Sequence, residues 1–368
     1  MVKRETIVFK YRLFFILLFT LISLILGFSF YECHNNHTFN ELNEVNKCIL
    51  FIGDGMGEAH VKTAESYFGH AMSFTSFPYK GYVTTSSLNL VGPTDSAAAA
   101  SALATGIKYQ NGVVALNNGP VKSISEYYKE AGLGVGIITT DNLSGATPAG
   151  FSAHANNRSD TKDIINTQLE SGIDLLIGAG VDTYTPFEET IKNNGYQFVT
   201  SFSDLKVSSN KILATFNKVS YHDNSDTNPT LASLALFAYK YMEANYQDGY
   251  FLMIEGAHID KRSHDNNIIS MVNYLNAFDE AINLLYNKLA NDSYLILVTA
   301  DHETGHLDYN GESREEINNG MYKSTGHTSR NVPYYIATSL DNLSDLTPLI
   351  DNTDVFKIFM QIRKKKNV

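Results

Sequence analysis

The chain has 368 residues, of which 43% are hydrophobic and 18% are charged, and its formal net charge at pH 7 is −11. This composition is typical of a globular protein and excludes disordered and collagen-like classes. The acidic charge argues against nucleic-acid binding, and the short basic run at 363–366 indicates only a solvated C-terminal tail. An acidic protein can still bind an anionic substrate where bound cations reverse the local field, so metal ligands are expected in that case.

The N-terminal segment has the pattern of an export signal. Four basic residues within the first 12 precede residues 13–30, which carry no charge. This run lies between the core of a signal peptide and a membrane span of about 20 residues in length. We therefore predict export, with residues 1–32 acting as either a cleaved signal peptide or a retained membrane anchor. Residues 33–46 are predicted to be a polar spacer, and Cys33 and Cys48 could form a disulfide in an exported protein.

Short apolar runs, often ending in Gly, Asp or Thr, recur from residue 48 onward and alternate with helical patterns. This alternation predicts an α/β fold, a three-layer α/β/α sandwich with a central, mostly parallel sheet. We expect one catalytic domain at 47–345, with 181–228 and 306–325 as insertions or irregular segments, and a C-terminal helix and basic tail at 346–368. The predicted strands are 48–52, 134–139, 174–177, 250–254 and 294–299, and the predicted helices are 123–131, 231–244 and 268–289.

Ligand-type side chains follow four of the predicted strands. Asp54 follows the first strand, residues 141–147 the second, residues 255–260 the fourth, and Asp301 with His302 the fifth. Because ligands bind beyond the carboxyl ends of parallel strands, these residues are expected at one edge of the sheet. Any one of them could instead cap a helix or lie in a solvated loop, but four such strand ends favour a binding site.

Ser96 lies near the start of the segment TDSAAAASALATG, whose alanines predict a helix. Thr94 or Asp95 can cap this helix, which places Ser96 in its first turn. Free backbone amides and the helix dipole favour a phosphate there. A serine at this position is usually only a capping residue, but an adjacent metal ion would lower the pKa of its hydroxyl and make it a nucleophile.

Further segments offer ligands for a cation or a phosphate. Asp260 and His264 are four residues apart and could chelate one ion from one face of a helix, although such pairs are also common on surfaces. Arg158 carries a planar guanidinium that suits two phosphate oxygens, or a surface ion pair. The remaining candidates are the hydroxyl of Thr147, the ring of His327, and two histidines that are predicted to be bystanders, His258 and His306.

In combination these segments closely resemble the alkaline phosphatases. The matching pieces are DGMG, TDSAAAASALATG, ATPAG with AHANNR, IEGAHIDKRSH, TADHETG and GHTSRNVPYY, which occur in family order within residues 48–340. The resemblance implies the alkaline phosphatase fold and the hydrolysis of small phosphate monoesters through a phosphoserine on Ser96. It also implies a cofactor set of two zinc ions and one magnesium ion.

The resemblance implies a role for each matching residue. Ser96 would be the nucleophile and would lie against the second zinc ion, and Arg158 would bind two phosphate oxygens. Nitrogen and carboxylate ligands suit zinc, whereas an all-oxygen set suits magnesium. The implied ligands are Asp260, His264 and His327 for the first zinc ion, Asp301, His302 and Asp54 for the second, and Asp54, Thr147 and Glu255 for magnesium.

Two positions of this chain vary within the family. Many members carry Asp or His two residues before the magnesium threonine, where this chain has Gly145, so the surroundings of the third metal ion are expected to differ. Lys261 follows Asp260 and looks like the bacterial variant, in which the lysine reaches phosphate through water.

Other classes remain as alternatives. Sulfatases carry Cys or Ser in a C/S-x-P-x-R setting, whereas alanines follow Ser96, and phosphodiesterases of this superfamily often use threonine. A non-catalytic, membrane-tethered binding protein would require the loss of the nucleophile or of a ligand, and all of them are present. We therefore predict an exported phosphomonoesterase. The resemblance adds a homodimer as one option for the assembly, because family members often form one.

Overall fold

The computed structural model describes residues 45–361, apart from residues 209, 341, 342, 344 and 345. The predicted export signal, most of the spacer, Cys33 and the basic run at 363–366 lie outside the described residues. Cys48 is buried in the first strand and has no disulfide partner among the described residues, so the disulfide with Cys33 stays a prediction. Within the described part of the chain, no helix combines the length and the apolar character needed to cross a membrane.

A ten-stranded sheet runs through the described residues, and nine of its strands point in the same direction. Strands that are covered on both faces need continuous apolar runs, which is why the central strands were recognisable in the sequence. The predicted mostly parallel sheet is confirmed. The strands are β1 (Lys47–Ile52), β2 (Tyr79–Thr84), β3 (Gly134–Asn142), β4 (Leu175–Ala179), β5 (Tyr196–Val199), β6 (Lys211–Phe216), β7 (Tyr250–Glu255), β8 (Tyr294–Thr299), β11 (Val332–Thr338) and β12 (Leu349–Asp351), with β9 (Glu303–Thr304) and β10 (His327–Thr328) in a separate hairpin.

The strand order is β12-β2-β11-β8-β1-β7-β3-β4-β6-β5, and β11 is antiparallel to both of its neighbours. Two strands, β5 and β6, lie within residues 181–228, which the sequence had marked as an insertion or an irregular segment. That prediction was wrong. β5 is a four-residue edge strand with a half-buried middle and lacks a continuous apolar run. β6 is an interior strand whose residues 212–216 are buried, so its apolar run had the pattern of a strand. Residues 306–325 do contain mainly irregular backbone, with a 3₁₀ turn at Asn319–Met321.

Helices cover both faces of the sheet, as predicted. On one face, the ring of Phe251 in β7 contacts the rings of Tyr128, Phe151 and Phe359. On the other face, Met242 packs against β3. The helices on the first face are α2 (Ser96–Thr105), α3 (Ile124–Glu130), α4 (Ala146–Ser152), α5 (Thr161–Glu170) and α11 (Asn352–Gln361). The helices on the second face are α1 (Glu58–Phe68), α8 (Leu231–Asn245), α9 (His258–His264) and α10 (Ile268–Lys288). Two short helices, α6 (Val181–Tyr184) and α7 (Glu188–Asn193), lie near β5 and β6.

Three neighbouring strands, β8, β1 and β7, end side by side, and β3 next to them continues three residues farther. Ile52 at the end of β1 pairs with Thr299 of β8 and with Glu255 of β7, and Glu255 pairs with Thr139 of β3. This register brings the residues that follow these strands to one edge of the sheet. The edge is where the sequence predicted a binding site.

Candidate functional site

The candidate site lies at the edge where β8, β1, β7 and β3 end. Asp54 and Asp301 each follow their strand by two residues. Gly55 follows Asp54 and turns the chain with a φ of 73°. Its backbone N–H donates to Asp301 Oδ1 at 3.1 Å. A Cβ on Gly55 would lie 2.8 Å from Thr304 Oγ1, so this turn requires a glycine for both its conformation and its space.

Asp54, Asp301 and His302 form a cluster that we name the deep group. His302 Nε2 lies 3.2 Å from Asp301 Oδ2 and 3.5 Å from Asp54 Oδ1. The side chains of Asp301 and His302 are fully buried, and that of Asp54 is 9% exposed. The backbone N–H of His302 donates to Asp301 Oδ1 at 2.9 Å, which holds the carboxylate of Asp301 against the next residue. One atom from each of these three side chains could reach a single cation.

Ser96 adjoins the deep group. It is the first residue of α2, and of the two expected capping residues it is Asp95 that caps the helix, since its Oδ1 accepts from Ala98 N at 2.9 Å. Ser96 Oγ lies 3.2 Å from His302 Nε2. The hydroxyl therefore lies beside a cluster of ligands and at the positive end of a helix, where a phosphate is favoured.

Asp260, His264 and His327 form a second cluster, which we name the rim group. Asp260 and His264 are one turn apart on α9, and His264 Nε2 lies 3.3 Å from Asp260 Oδ2. His327 Nε2 lies 3.2 Å from His264 Nε2 and 3.6 Å from Asp260 Oδ1. The other ring nitrogen of each histidine, Nδ1, is hydrogen-bonded to a backbone carbonyl oxygen. His264 Nδ1 lies 2.5 Å from Thr325 O, and His327 Nδ1 lies 2.9 Å from Thr94 O. Such partners orient a histidine so that its Nε2 can bind a metal ion.

The deep and rim groups touch each other. The rings of His302 and His327 are stacked with their centroids 3.5 Å apart. Thr304 Oγ1 donates to Asp260 Oδ1 and lies 3.2 Å from His302 Nδ1. One buried hydroxyl thus connects a carboxylate of the rim group to a histidine of the deep group.

A third set of oxygens lies around Glu255, at the end of β7. Glu255 is buried and accepts a short hydrogen bond from Thr139 Oγ1. Burial raises the pKa of Glu255 to about 8, the charge of Asp141 adds to the rise, and the hydroxyls of Thr139 and Thr147 oppose it. Thr147, in the first turn of α4, is also buried. Carboxylate and hydroxyl oxygens of this kind suit a hard cation such as magnesium.

Arg158 provides a guanidinium near the start of α2. Its Nη1 donates to Asp95 Oδ2 at 3.1 Å, and the same oxygen accepts from Gly112 N at 3.0 Å. The Arg158 side chain is 39% exposed, and its charge opposes the rise in the pKa of Asp54. Asp95 therefore caps the helix and also orients the arginine, while the arginine stays accessible to an anion.

Lys261 and Asp141 form an ion pair beside Gly145. Lys261 Nζ donates to Asp141 Oδ1, which also accepts from Asn142 N at 2.6 Å. A Cβ on Gly145 would lie 2.8 Å from Asp141 Oδ2. The carboxylate of Asp141 thus occupies the space that a side chain at position 145 would need.

The electrostatics of the deep and rim groups differ. Burial raises the pKa of Asp54 well above its ordinary value, and the charges of Asp301 and Asp260 add to the rise. Burial also disfavours the charged form of Asp260, but its hydrogen bond with His264 and the charge of His302 outweigh burial and hold its pKa below the usual range. The bond to Asp260 in turn raises the pKa of His264 to about 8. The deep carboxylates therefore need an additional positive partner, whereas the rim carboxylate already has one.

The donor set fits divalent cations. Asp54 Oδ1 and Asp301 Oδ2 are buried and have no hydrogen-bond partner among the described residues. Leaving a buried anionic oxygen unpaired is costly, and a bound cation removes that cost. Imidazole nitrogens combined with carboxylates are ligands typical of zinc.

All of the predicted site residues lie at this one edge of the sheet. Of the two predicted bystanders, His258 packs on the ring of Tyr274, and His306 Nε2 lies 3.9 Å from Asp308 Oδ1. Sequence reasoning named Asp95 only as a possible helix cap and did not foresee its contact with Arg158. It did not single out Thr304, which contacts both Asp260 and His302. The position of Thr304, two residues after His302 in the segment TADHETG, was the available signal.

The chain is similar to known proteins in sequence and in fold. A family model described as alkaline phosphatase matches residues 45–345. Alkaline phosphatase 4 of Bacillus subtilis is 29% identical over 291 residues, which cover 71% of this chain and 62% of the relative. The alkaline phosphatase of Schizosaccharomyces pombe is 30% identical over 333 residues, which cover 79% of this chain and 62% of the relative. The chain thus spans about three fifths of the length of these curated relatives.

A solved structure has the same overall fold. The alkaline phosphatase of the Antarctic bacterium TAB5 superposes with a TM-score of 0.74 at 25% sequence identity. The match covers 86% of this chain and 98% of the TAB5 chain, so the two folds have a similar extent.

Proposed function

Since the chain belongs to the alkaline phosphatase family, we propose that it hydrolyses phosphate monoesters to an alcohol and inorganic phosphate, with Ser96 as the nucleophile. The observation that carries the proposal is the position of Ser96 Oγ, 3.2 Å from His302 Nε2 and at the start of α2. The proposed nucleophile therefore lies beside the candidate metal ligands and at a helix end that favours phosphate, which supports the proposal.

The proposed cofactors are two zinc ions and one magnesium ion. The rim group would hold the first zinc ion, Asp301 and His302 with Asp54 the second, and Asp54 with Thr147 and Glu255 the magnesium ion. When bound, such cations act as Lewis acids, which lower the pKa of a coordinated hydroxyl or water and neutralise phosphate charge. The buried oxygens of Asp54 and Asp301 that lack a hydrogen-bond partner among the described residues support this assignment.

In the proposed reaction Ser96 attacks phosphorus in line with the leaving alcohol. The Oγ–P bond forms as the ester P–O bond breaks, and water then cleaves the Oγ–P bond and restores the hydroxyl. Backbone N–H groups at the start of α2 would donate to the phosphate oxygens. Arg158 would donate from its remaining N–H groups, because Asp95 engages Nη1 and thereby orients the fork.

Rates on three ester classes test the reaction type. A phosphate monoester, a phosphate diester and a sulfate ester are compared with the same purified protein across pH. We expect the monoester to be hydrolysed fastest, because Ser96 lacks the sulfatase context and the nucleophile is not threonine. Preference for the diester or the sulfate ester would contradict the proposal.

Metal analysis of the purified protein tests catalysis against mere binding. A phosphatase should contain zinc and release phosphate. The bound zinc and the phosphate-release activity should both be lost after chelation and should return when metal is added. Protein that is folded, contains no zinc and releases no phosphate would instead be a binding protein with this fold.

The proposed setting is outside the cytoplasm, and the proposed assembly is a homodimer. Export is motivated by residues 13–30, which lie outside the described residues. Cell fractionation tests export, and N-terminal sequencing of the mature protein distinguishes a cleaved signal from a retained anchor. Light scattering gives the assembly, and a monomer at all protein concentrations would contradict the dimer.

A further inference from the structure

Asp141 lies beside the proposed magnesium site, and the proposed reaction gives it no role. Its Oδ1 accepts from Lys261 and from Asn142 N, whereas no described residue donates to its Oδ2. The side chain is 25% exposed, so water can reach this carboxylate. A partly accessible carboxylate with one open oxygen can accept from a further donor.

Gly145 leaves room for this carboxylate. An ideal Cβ on Gly145 would lie 2.8 Å from Asp141 Oδ2 and 2.9 Å from Asn142 O, both closer than such atoms approach. Gly145 has φ −60° and ψ 164°, a conformation that any residue adopts, so the constraint is space and not backbone strain. Thr147, one proposed magnesium ligand, lies two residues after Gly145 in the chain.

Asp141 is also connected to Glu255, a second proposed ligand. The Asp141 N–H donates to Thr139 Oγ1 at 2.8 Å, and that hydroxyl donates to Glu255 Oε2. Thr139 and Glu255 are paired residues of the neighbouring strands β3 and β7. A single hydroxyl therefore fixes the position of Asp141 relative to Glu255.

We propose that Asp141 is the outer carboxylate of the magnesium site, accepting hydrogen bonds from water molecules on the bound cation while it holds Lys261 at the same edge. Magnesium keeps several of its waters when protein supplies only a few ligands, and those waters need acceptors. Outer carboxylates of this kind typically change metal affinity by about 10- to 100-fold. The inference rests on the proposed magnesium site.

Magnesium affinity tests the inference without relying on turnover. The full chain, preloaded with zinc, is dialysed against magnesium at several concentrations, and bound metal is counted by elemental analysis. Asp141→Ala and Asp141→Asn should each weaken magnesium binding by about 10- to 100-fold. Lys261→Met should leave the affinity unchanged or raise it, because the carboxylate keeps its charge. The matched control is Glu188→Ala, which breaks an exposed carboxylate–lysine pair with N and O 2.6 Å apart, and it should change nothing.

Two results would overturn the inference. One is wild-type magnesium affinity in Asp141→Asn. The other is an equal loss in Lys261→Met and Asp141→Ala, since Asp141 would then act only as the partner of the lysine. Zinc content and thermal unfolding identify any variant that is misfolded, and Asp141→Asn, which keeps the size of the side chain, then decides.

Phosphate release from the same samples separates the two proposals. Wild-type protein that contains zinc and releases phosphate but binds no magnesium would overturn the inference and leave the phosphatase in place. Wild-type protein that releases no phosphate under any metal condition would instead contradict the proposed function.

Discussion

The deep group and the rim group are built from the same residue types, yet the protein supports them differently. Asp301 and His302 are fully buried just beyond a central strand, whereas the His264 side chain is 40% exposed on a seven-residue helix. His327 comes from the two-residue strand β10. The deep group is therefore part of the core, and the rim group is attached to short elements at its border.

The difference in support has consequences for metal binding. Carboxylates buried together repel one another, so the deep group should need its cation for stability as well as for chemistry. The rim group compensates the charge of Asp260 with His264 and is partly solvated, so the loss of its cation should cost the fold less. Four experiments can break or sharpen this comparison.

The largest effect is expected at Ser96, beside the deep group. Ser96→Ala removes the hydroxyl and leaves every metal ligand in place, so phosphate release should fall by roughly 10³-fold or more while zinc content stays normal. Steady-state release and metal analysis are measured on one preparation, with the exposed Ser203→Ala as the control. Turnover like that of the wild type would rule out Ser96 as the nucleophile.

The second experiment compares the loss of zinc affinity in a variant of each group. Asp301→Ala should weaken zinc binding by at least ~100-fold, because it removes a buried ligand that no solvent can replace, and His264→Ala should weaken it less, by ~10- to 100-fold. Zinc retained after dialysis at several free-zinc concentrations gives both values. Equal losses in the two variants would mean that exposure does not separate the groups.

A smaller effect is expected for Arg158, whose side chain is about as exposed as that of His264 in the rim group. Arg158→Lys keeps the charge but loses the planar fork, so kcat/KM should fall about 10- to 100-fold, with unfolding unchanged. Kinetics at saturating and limiting substrate are compared with Arg314→Lys, a change of an exposed arginine. Unaltered kinetics in Arg158→Lys would exclude hydrogen bonding from Arg158 to two phosphate oxygens.

The smallest effect is the pH dependence of stability in metal-free protein. Folding raises the pKa of Asp54, of Glu255 to about 8 and of His264 to about 8, so the folded chain binds more protons than the unfolded chain near neutral pH. Stability should therefore fall between pH 6.5 and 8, by on the order of 1–2 kcal/mol for buried Glu255 alone.

Thermal unfolding at these two pH values, with and without zinc and magnesium, measures this loss. Bound cations favour the ionised carboxylates and should remove most of the pH dependence. The single variant Glu255→Gln should flatten the metal-free curve, and an unchanged slope in that variant would show that Glu255 is not the source.

Much of the site could be predicted because its residues lie in short, specific segments at the ends of apolar strands. Ser96, Asp301 and His302 are recognisable in this way, and so is the sheet formed by β1, β7 and β8. The short edge strand β5 was not recognisable, because an edge strand needs no continuous apolar run.

The supporting contacts could not be predicted, since they join residues that are distant in the chain. Thr304 reaches back to Asp260, and Asp141 pairs with Lys261 across 120 positions. The relation between Gly145 and Asp141 is a matter of shared space, which a sequence does not display. Local patterns therefore indicated the candidate ligands but not the residues that orient them.

The reversed direction of β11 determines how the chain returns to the site. In a purely parallel sheet, only segments leaving a strand pass over the edge that carries the candidate site. Because β11 runs the other way, the chain crosses that edge before it enters the sheet, and His327 lies five residues ahead of the strand. The stretch between β9 and β10 is thus a loop closed at both ends by one hairpin. Its length could change through insertion or deletion, during evolution or by design, while the hairpin keeps the histidine in register.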